Sequence, residues 1–146
     1  MLDRNFNLKI ADFGFSSPAD GKAGESLLRT RLGTSAYMAP EIHLGVPYSG
    51  QRVDLFTSAI IIFTMLSQRL PFRSATLADP HYYLYAVRRP EMFWEAHEEE
   101  FEDKYSDDFK DLFERMVAFN PEERPELEEV LGHEWMRGAV ATEDEV

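Results

Sequence analysis

Residues 53–66 read Val-Asp-Leu-Phe-Thr-Ser-Ala-Ile-Ile-Ile-Phe-Thr-Met-Leu, apolar on nearly every face of a helix. A water-soluble chain accommodates such a helix by surrounding it with other elements, so the segment predicts a buried central helix over about 52–67. The run is short of the roughly 20 residues needed to cross a bilayer, and Asp54 sits inside it, so no membrane partner is expected. Leu70-Pro71-Phe72 stops the helix, since proline cannot continue it. With 146 residues, 44% hydrophobic and 13% aromatic, the chain is large enough to build a core around that helix in one domain.

The rest of the chain supplies the elements that would do the surrounding. Asp79-Pro80 opens a shorter helix over 79–88, with proline at its first position. Phe109, Leu112, Phe113, Met116 and Val117 fall at i, i+3, i+4, i+7 and i+8, with Asp108, Lys110, Asp111, Glu114 and Arg115 opposite, which is an amphipathic helix. Asn120-Pro121 ends it. Pro125 opens a last helix carrying Leu127, Val130 and Leu131, with Gly132 as its stop. Upstream, Leu8-Lys9-Ile10-Ala11 alternates after an Asp3-Arg4-Asn5 turn, so residues 1–11 are expected to form a short β-hairpin. Residues 15–36 are polar and aperiodic, a loop long enough to be functional. The predicted class is therefore mainly α (α+β): a short N-terminal hairpin, then a helical bundle around one buried helix.

Charge and residue usage narrow the partners. The formal net charge of −12 argues against nucleic acid, because phosphate neutralisation needs basic surface. Much of the acid lies between Glu95 and Asp108, read as a solvated loop, with a docking surface for a basic substrate as the alternative. The chain has no cysteine and no secretory leader, so an intracellular protein is expected, cytoplasmic with the nucleus not excluded. His43, His81, His97 and His133 show no metal-ligand spacing and read as structural or exposed. Phe93, Trp94 and Met92 read as core or groove lining. From Gly138 the acidic residues 138–146 are expected to be a frayed, flexible tail.

Against this background two triplets stand out, Asp12-Phe13-Gly14 and Ala39-Pro40-Glu41, with Gly33-Thr34-Ser35-Ala36-Tyr37-Met38 running into the second. They bracket the polar loop, and a strand-like run precedes the first. Together with Asp54, Leu70-Pro71-Phe72, Asn120-Pro121-Glu122-Glu123-Arg124-Pro125 and His133-Glu134-Trp135, they resemble the C-terminal lobe of a eukaryotic serine/threonine protein kinase, near the calcium/calmodulin-dependent branch. The resemblance covers residues 1–137, a partial kinase domain that starts after the catalytic loop.

The resemblance implies a transferase that moves a phosphoryl group from ATP to protein serine or threonine with Mg²⁺. It makes Asp12 the metal ligand, and Asp12, Phe13 and Gly14 the nucleotide-side motif, with Phe13 a packing residue and Gly14 a backbone pivot. Mg²⁺ suits such a site, since it takes one or two protein carboxylates plus phosphate oxygens. Thr30, flanked by Arg29 and Arg31, matches the position of an activating phosphothreonine, where a phosphate orders a loop by pairing with arginine. Gly33, Thr34 and Tyr37 would face the protein substrate, and Thr34 tips the class toward serine/threonine kinases. Glu41 and Arg124 match a buried ion pair, and Asp54 a central-helix anchor for the catalytic loop. Phe56 stands where tryptophan is usual and Ala59 where glycine is usual, both conservative.

The same resemblance defines what is not in the chain. A Gly-rich loop, a strand lysine and an H-R-D-x-x-x-x-N loop all lie upstream of D-F-G in the family, and here that triplet begins at residue 12. The chain by itself is therefore expected to be inactive and to hold neither ATP nor Mg²⁺. Two functions compete: an incomplete catalytic domain of a kinase, or a non-catalytic, kinase-derived module that binds kinase partners or substrates.

Overall fold

A computed structural model describes residues 3–4, 7–18, 27–98 and 105–138 of the chain. Six α-helices are described: α1 (Pro40–Leu44), α2 (Gly50–Ser67), α3 (Pro80–Tyr83), α4 (Pro90–Glu98), α5 (Asp107–Met116) and α6 (Leu127–Leu131). A π-helical turn, Leu84–Arg88, joins α3 to α4. Described residues form no extended strand; Leu28 and Tyr48 make an isolated antiparallel bridge.

The helices begin and end where local chemistry dictates. Asp79 caps α3, its carboxylate accepting from the His81 and Tyr82 amides. Ser106 caps α5 through the Phe109 amide, and Glu126 and Glu129 form a reciprocal capping box on α6. Gly45 closes α1 at φ 70°, a left-handed conformation that glycine adopts without a Cβ clash. Inside α2, the hydroxyls of Thr64 and Ser67 donate to the carbonyls of Ile60 and Phe63, so neither polar group is stranded.

The core forms on one side of α2. Phe63 lies at its centre, with the rings of Phe93, Trp94, His97, Tyr105, Phe109 and Phe113 all within 6.4 Å centroid to centroid. Aromatic packing of this kind adds to the burial of apolar area itself. Phe56, Ala59, Ile60 and Phe63 of α2 are buried with Phe72, Tyr82 and the apolar face of α5.

Three expectations are corrected here. The central helix is not buried all round: Gln51, Asp54, Ser58, Ile61 and Met65, at successive i+3/i+4 steps, lie exposed on one face, and Met65 keeps 71% of its accessible surface. The start of that face borders a cavity shared with α6, while Ile61 and Met65 further along leave apolar surface in water. The segment 79–88 is a short α-helix that widens into a π-turn rather than one regular helix. The acidic stretch is helical at its start, because α4 runs to Glu98 with Phe93 and Trp94 buried beneath it. In the hairpin region, Asp3 and Asn7 close a turn by a backbone bond of 3.0 Å, while Met1, Leu2, Asn5 and Phe6 lie outside the described residues. Residues 99–104 and 139–146, including the acidic tail, also lie outside them.

Candidate functional site

The strongest side-chain constellation is built around Arg124. Its Nη1 donates to Glu41 Oε1 and its Nη2 to Glu41 Oε2, both at 2.7 Å, with the guanidinium fully buried. Two further donors are occupied: Nε donates to the Ala118 carbonyl at 3.0 Å and Nη1 to the Arg52 carbonyl at 2.9 Å. The guanidinium carbon, Cζ, lies 5.0 Å from the Phe56 ring centroid. A bidentate carboxylate, two carbonyls and an aromatic ring satisfy a charge that burial would otherwise make costly.

Arg52 closes the loop from the other side. Its Nη1 donates to the carbonyls of Arg124 and Pro125, and its Nη2 pairs with Glu126. Arg52 was not among the residues singled out from the sequence, and an arginine in the first turn of an apolar helix carries no signal for such a role. The outcome is that α1, the start of α2 and the 118–126 turn are tied together.

That clamp fixes the segment leading into α1. Thr57 donates from its hydroxyl to the Tyr37 carbonyl at 3.0 Å, placing residues 35–37 on α2. His43 Nε2 lies 3.2 Å from the Ser35 carbonyl, and burial with nearby Arg31 depresses the imidazole pKa despite that bond. Tyr48 donates its hydroxyl to the Thr30 carbonyl at 2.6 Å, beside the Leu28–Tyr48 bridge. Gly33 adopts φ 116°, a conformation that a side chain would strain. Thr30 and Thr34 are both exposed, and the Thr34 side chain does not cap the following 3-10 turn.

The first triplet is organised differently. Asp12 sits at φ 64° and accepts the Gly14 amide at 3.3 Å, so its carboxylate caps its own turn. Every described residue from Asn7 to Pro18 is exposed. Phe13, expected to pack, keeps 67% of its surface, because no described side chain covers it. The left-handed residue is Asp12 and not Gly14, so the observed turn places its backbone reversal two positions earlier than expected. Asp54 makes no hydrogen bond or ion pair with a described residue. Partial desolvation beside a cavity of about 380 Å³ between α2 and α6 raises its pKa.

Comparison with known proteins decides the family. A model described as protein kinase domain matches residues 1–136. The chain belongs to the protein kinase family. Among similar proteins, CBL-interacting protein kinase 2 of Oryza sativa subsp. japonica is 32% identical over 137 residues, covering 94% of this chain and 29% of that protein. CBL-interacting serine/threonine-protein kinase 15 of Arabidopsis thaliana is 32% identical over 144 residues, covering 98% of this chain and 32% of that protein. Testis-specific serine/threonine-protein kinase 5 of Mus musculus is 35% identical over 136 residues, covering 93% and 33% respectively. The chain thus spans a third or less of the length of these relatives.

Within this kinase-family chain, the described residues do not assemble a nucleotide-metal site by themselves. No three His, Asp or Glu side chains among them converge on a common point, and Asp12 presents one exposed carboxylate already engaged by its own turn. One carboxylate suits Mg²⁺ as a contributing ligand but leaves most of its octahedral shell to be filled by other groups. Asp12 is thus one contributing carboxylate for such an ion among the described residues. Among the described residues, no helix is long and apolar enough to cross a membrane.

Proposed function

We propose that the chain serves as the C-terminal-lobe portion of a serine/threonine protein kinase, holding the segment between Asp12-Phe13-Gly14 and Ala39-Pro40-Glu41 that would meet metal and substrate. The observation that carries this reading is the buried, bidentate Glu41–Arg124 pair. It anchors the end of that segment to the helical body, at the positions the family motifs assign. In this reading Asp12 contributes a metal ligand, Gly33, Thr34 and Tyr37 face a protein substrate, and Thr30 accepts a regulatory phosphate between Arg29 and Arg31. The exposure of Asp12, Thr30 and Thr34 leaves each accessible for those roles. By itself the 146-residue chain is inactive in this reading, because phosphoryl transfer depends on several groups positioned around the phosphates, and Asp12 is the single carboxylate that the Asp12-Phe13-Gly14 motif offers.

The test is made on the native polypeptide, captured from its source and assayed for protein phosphorylation with and without the substitution Asp12→Ala. Loss of activity in the variant is the expected result; undiminished activity overturns the assignment. Its intact mass, compared with 16.9 kDa for this sequence, separates a longer kinase from the short chain.

One observation favours a second reading, a non-catalytic binding module. Ile61, Met65 and Leu66 of α2 are exposed, as are Leu127 and Leu131 of α6. Ile61 and Met65, one turn apart on the exposed face of α2, are the kind of apolar surface that a protein partner covers. Under this reading Met65→Lys lowers partner capture while Asp12→Ala leaves it unchanged.

A further inference from the structure

A histidine pair joins α4 to the rest of the body, and the proposed kinase reading makes no use of it. His97, in the last turn of α4, directs Nδ1 at the Phe93 carbonyl (2.8 Å) and Nε2 at the Pro71 carbonyl (3.1 Å). The first bond is internal to α4. The second reaches the connection between α2 and α3, so it fastens the helix end to that connection. The ring is packed edge-on to Phe63 at 5.3 Å and lies 4.2 Å from Phe93. On its remaining side it meets the ring of His81, on α3, at 5.1 Å.

The arrangement sets two demands against each other. A neutral imidazole has one N–H, so only one of the two carbonyls receives a hydrogen bond. Protonation supplies the second donor, but places a charge among aromatic rings, beside the imidazole of His81. Arg69, on the turn after α2, contributes a further positive charge. The other charged or titratable groups around the cluster do little to offset this. Glu98 is held by Lys110 of α5 at 2.6 Å, and Tyr105 stacks on Phe63 with its hydroxyl pKa raised by burial. Burial, reinforced by His81 and Arg69, outweighs the two carbonyls and lowers the His97 pKa below its ordinary 6.5.

We propose that His97 and His81 form an acid-labile clasp that holds the end of α4 on the α2–α3 connection at neutral pH and releases it on acidification. The sign follows from linkage. The docked imidazole binds its proton less tightly than the released one. Docking is therefore strongest above the ordinary histidine pKa and weakens as pH falls through it.

The experiment is hydrogen exchange of α4 in the full 146-residue chain at about pH 7.5 and about pH 5.5, either side of that pKa and corrected for intrinsic exchange. Protection of α4 is expected to fall severalfold in acid while α5 keeps its protection. His97→Phe, which keeps an aromatic ring in the Phe63 box, is expected to remove the pH dependence. His81→Gln, which removes only the neighbouring charge, is expected to reduce it. The proposal is overturned by pH-independent protection, by protection that rises in acid, by a loss shared equally by α5, or by an α4 unprotected at both pH values. An acid loss undiminished in both variants overturns it as well.

Discussion

The helical body and the segment 7–18 belong to one chain but obey different rules. In the body, Phe56, Phe63, Phe72, Phe93 and Phe113 are almost entirely removed from water, and the deeply buried Glu41–Arg124 pair is joined by two hydrogen bonds. In the segment, Leu8, Ile10, Phe13 and Phe15 keep between 67% and 81% of their surface, and Asp12 bonds only within its own turn. The difference separates two uses of apolar residues. In the body they supply the free energy that fixes the fold. In the segment they are free for contacts made elsewhere, beside the motif residues that carry chemistry in the family. A loop with few buried contacts is also the part of a structure that opens at least cost.

The largest effect is expected where the body's buried charge is broken. Arg124→Ala leaves Glu41 without a partner in the interior and is expected to cost about 3–5 kcal/mol, read by urea unfolding. A loss below about 1 kcal/mol would mean that water reaches Glu41, and the contrast with the exposed segment would shrink. Phe63→Ala is expected to cost a similar ~3–5 kcal/mol, because the rings around it cannot collapse fully into the space left.

Asp79→Ala is smaller. Its carboxylate accepts the amides of Arg73, His81 and Tyr82. Removing it strands buried donors at about 1–3 kcal/mol, with lost exchange protection at the start of α3 as the second readout. The smallest change is expected in the segment: Phe13→Ala should shift stability by no more than about 0.5 kcal/mol. A larger destabilisation would show that Phe13 packs in solution and would erase the distinction between the two regions.

Much of the body is legible in the sequence. Asp79-Pro80 marked a helix start because an acidic cap followed by proline suits the first turn, and α3 begins there. The i, i+3, i+4 pattern from Phe109 to Val117 marked α5, because one face of a 3.6-residue helix must meet the core. Helix α4 was missed. Its sequence, Pro-Glu-Met-Phe-Trp-Glu-Ala-His-Glu, mixes acidic and aromatic residues, and a short helix of that kind depends on its aromatic partners from α2 and α5. At the candidate site, Glu41 and Arg124 were matched through family motifs, and the structure joins them. Arg52 was not found, because its role is defined by carbonyls of residues distant in sequence.

The sequence by itself determined the family, the paired motifs and the helix-forming segments, since these are written in residue order and in the 3.6-residue period. It also showed that α2 is apolar on nearly every face. Which face of α2 meets the core was decided only by tertiary structure. Periodicity can choose a face when one side is polar, but the polar residues of the exposed face, Gln51, Asp54 and Ser58, lie in the first half of α2, and from Ala59 to Leu66 there is little to distinguish. The choice falls to the elements that pack there, and they cover Phe56, Ile60 and Phe63 while leaving Ile61 and Met65 in water.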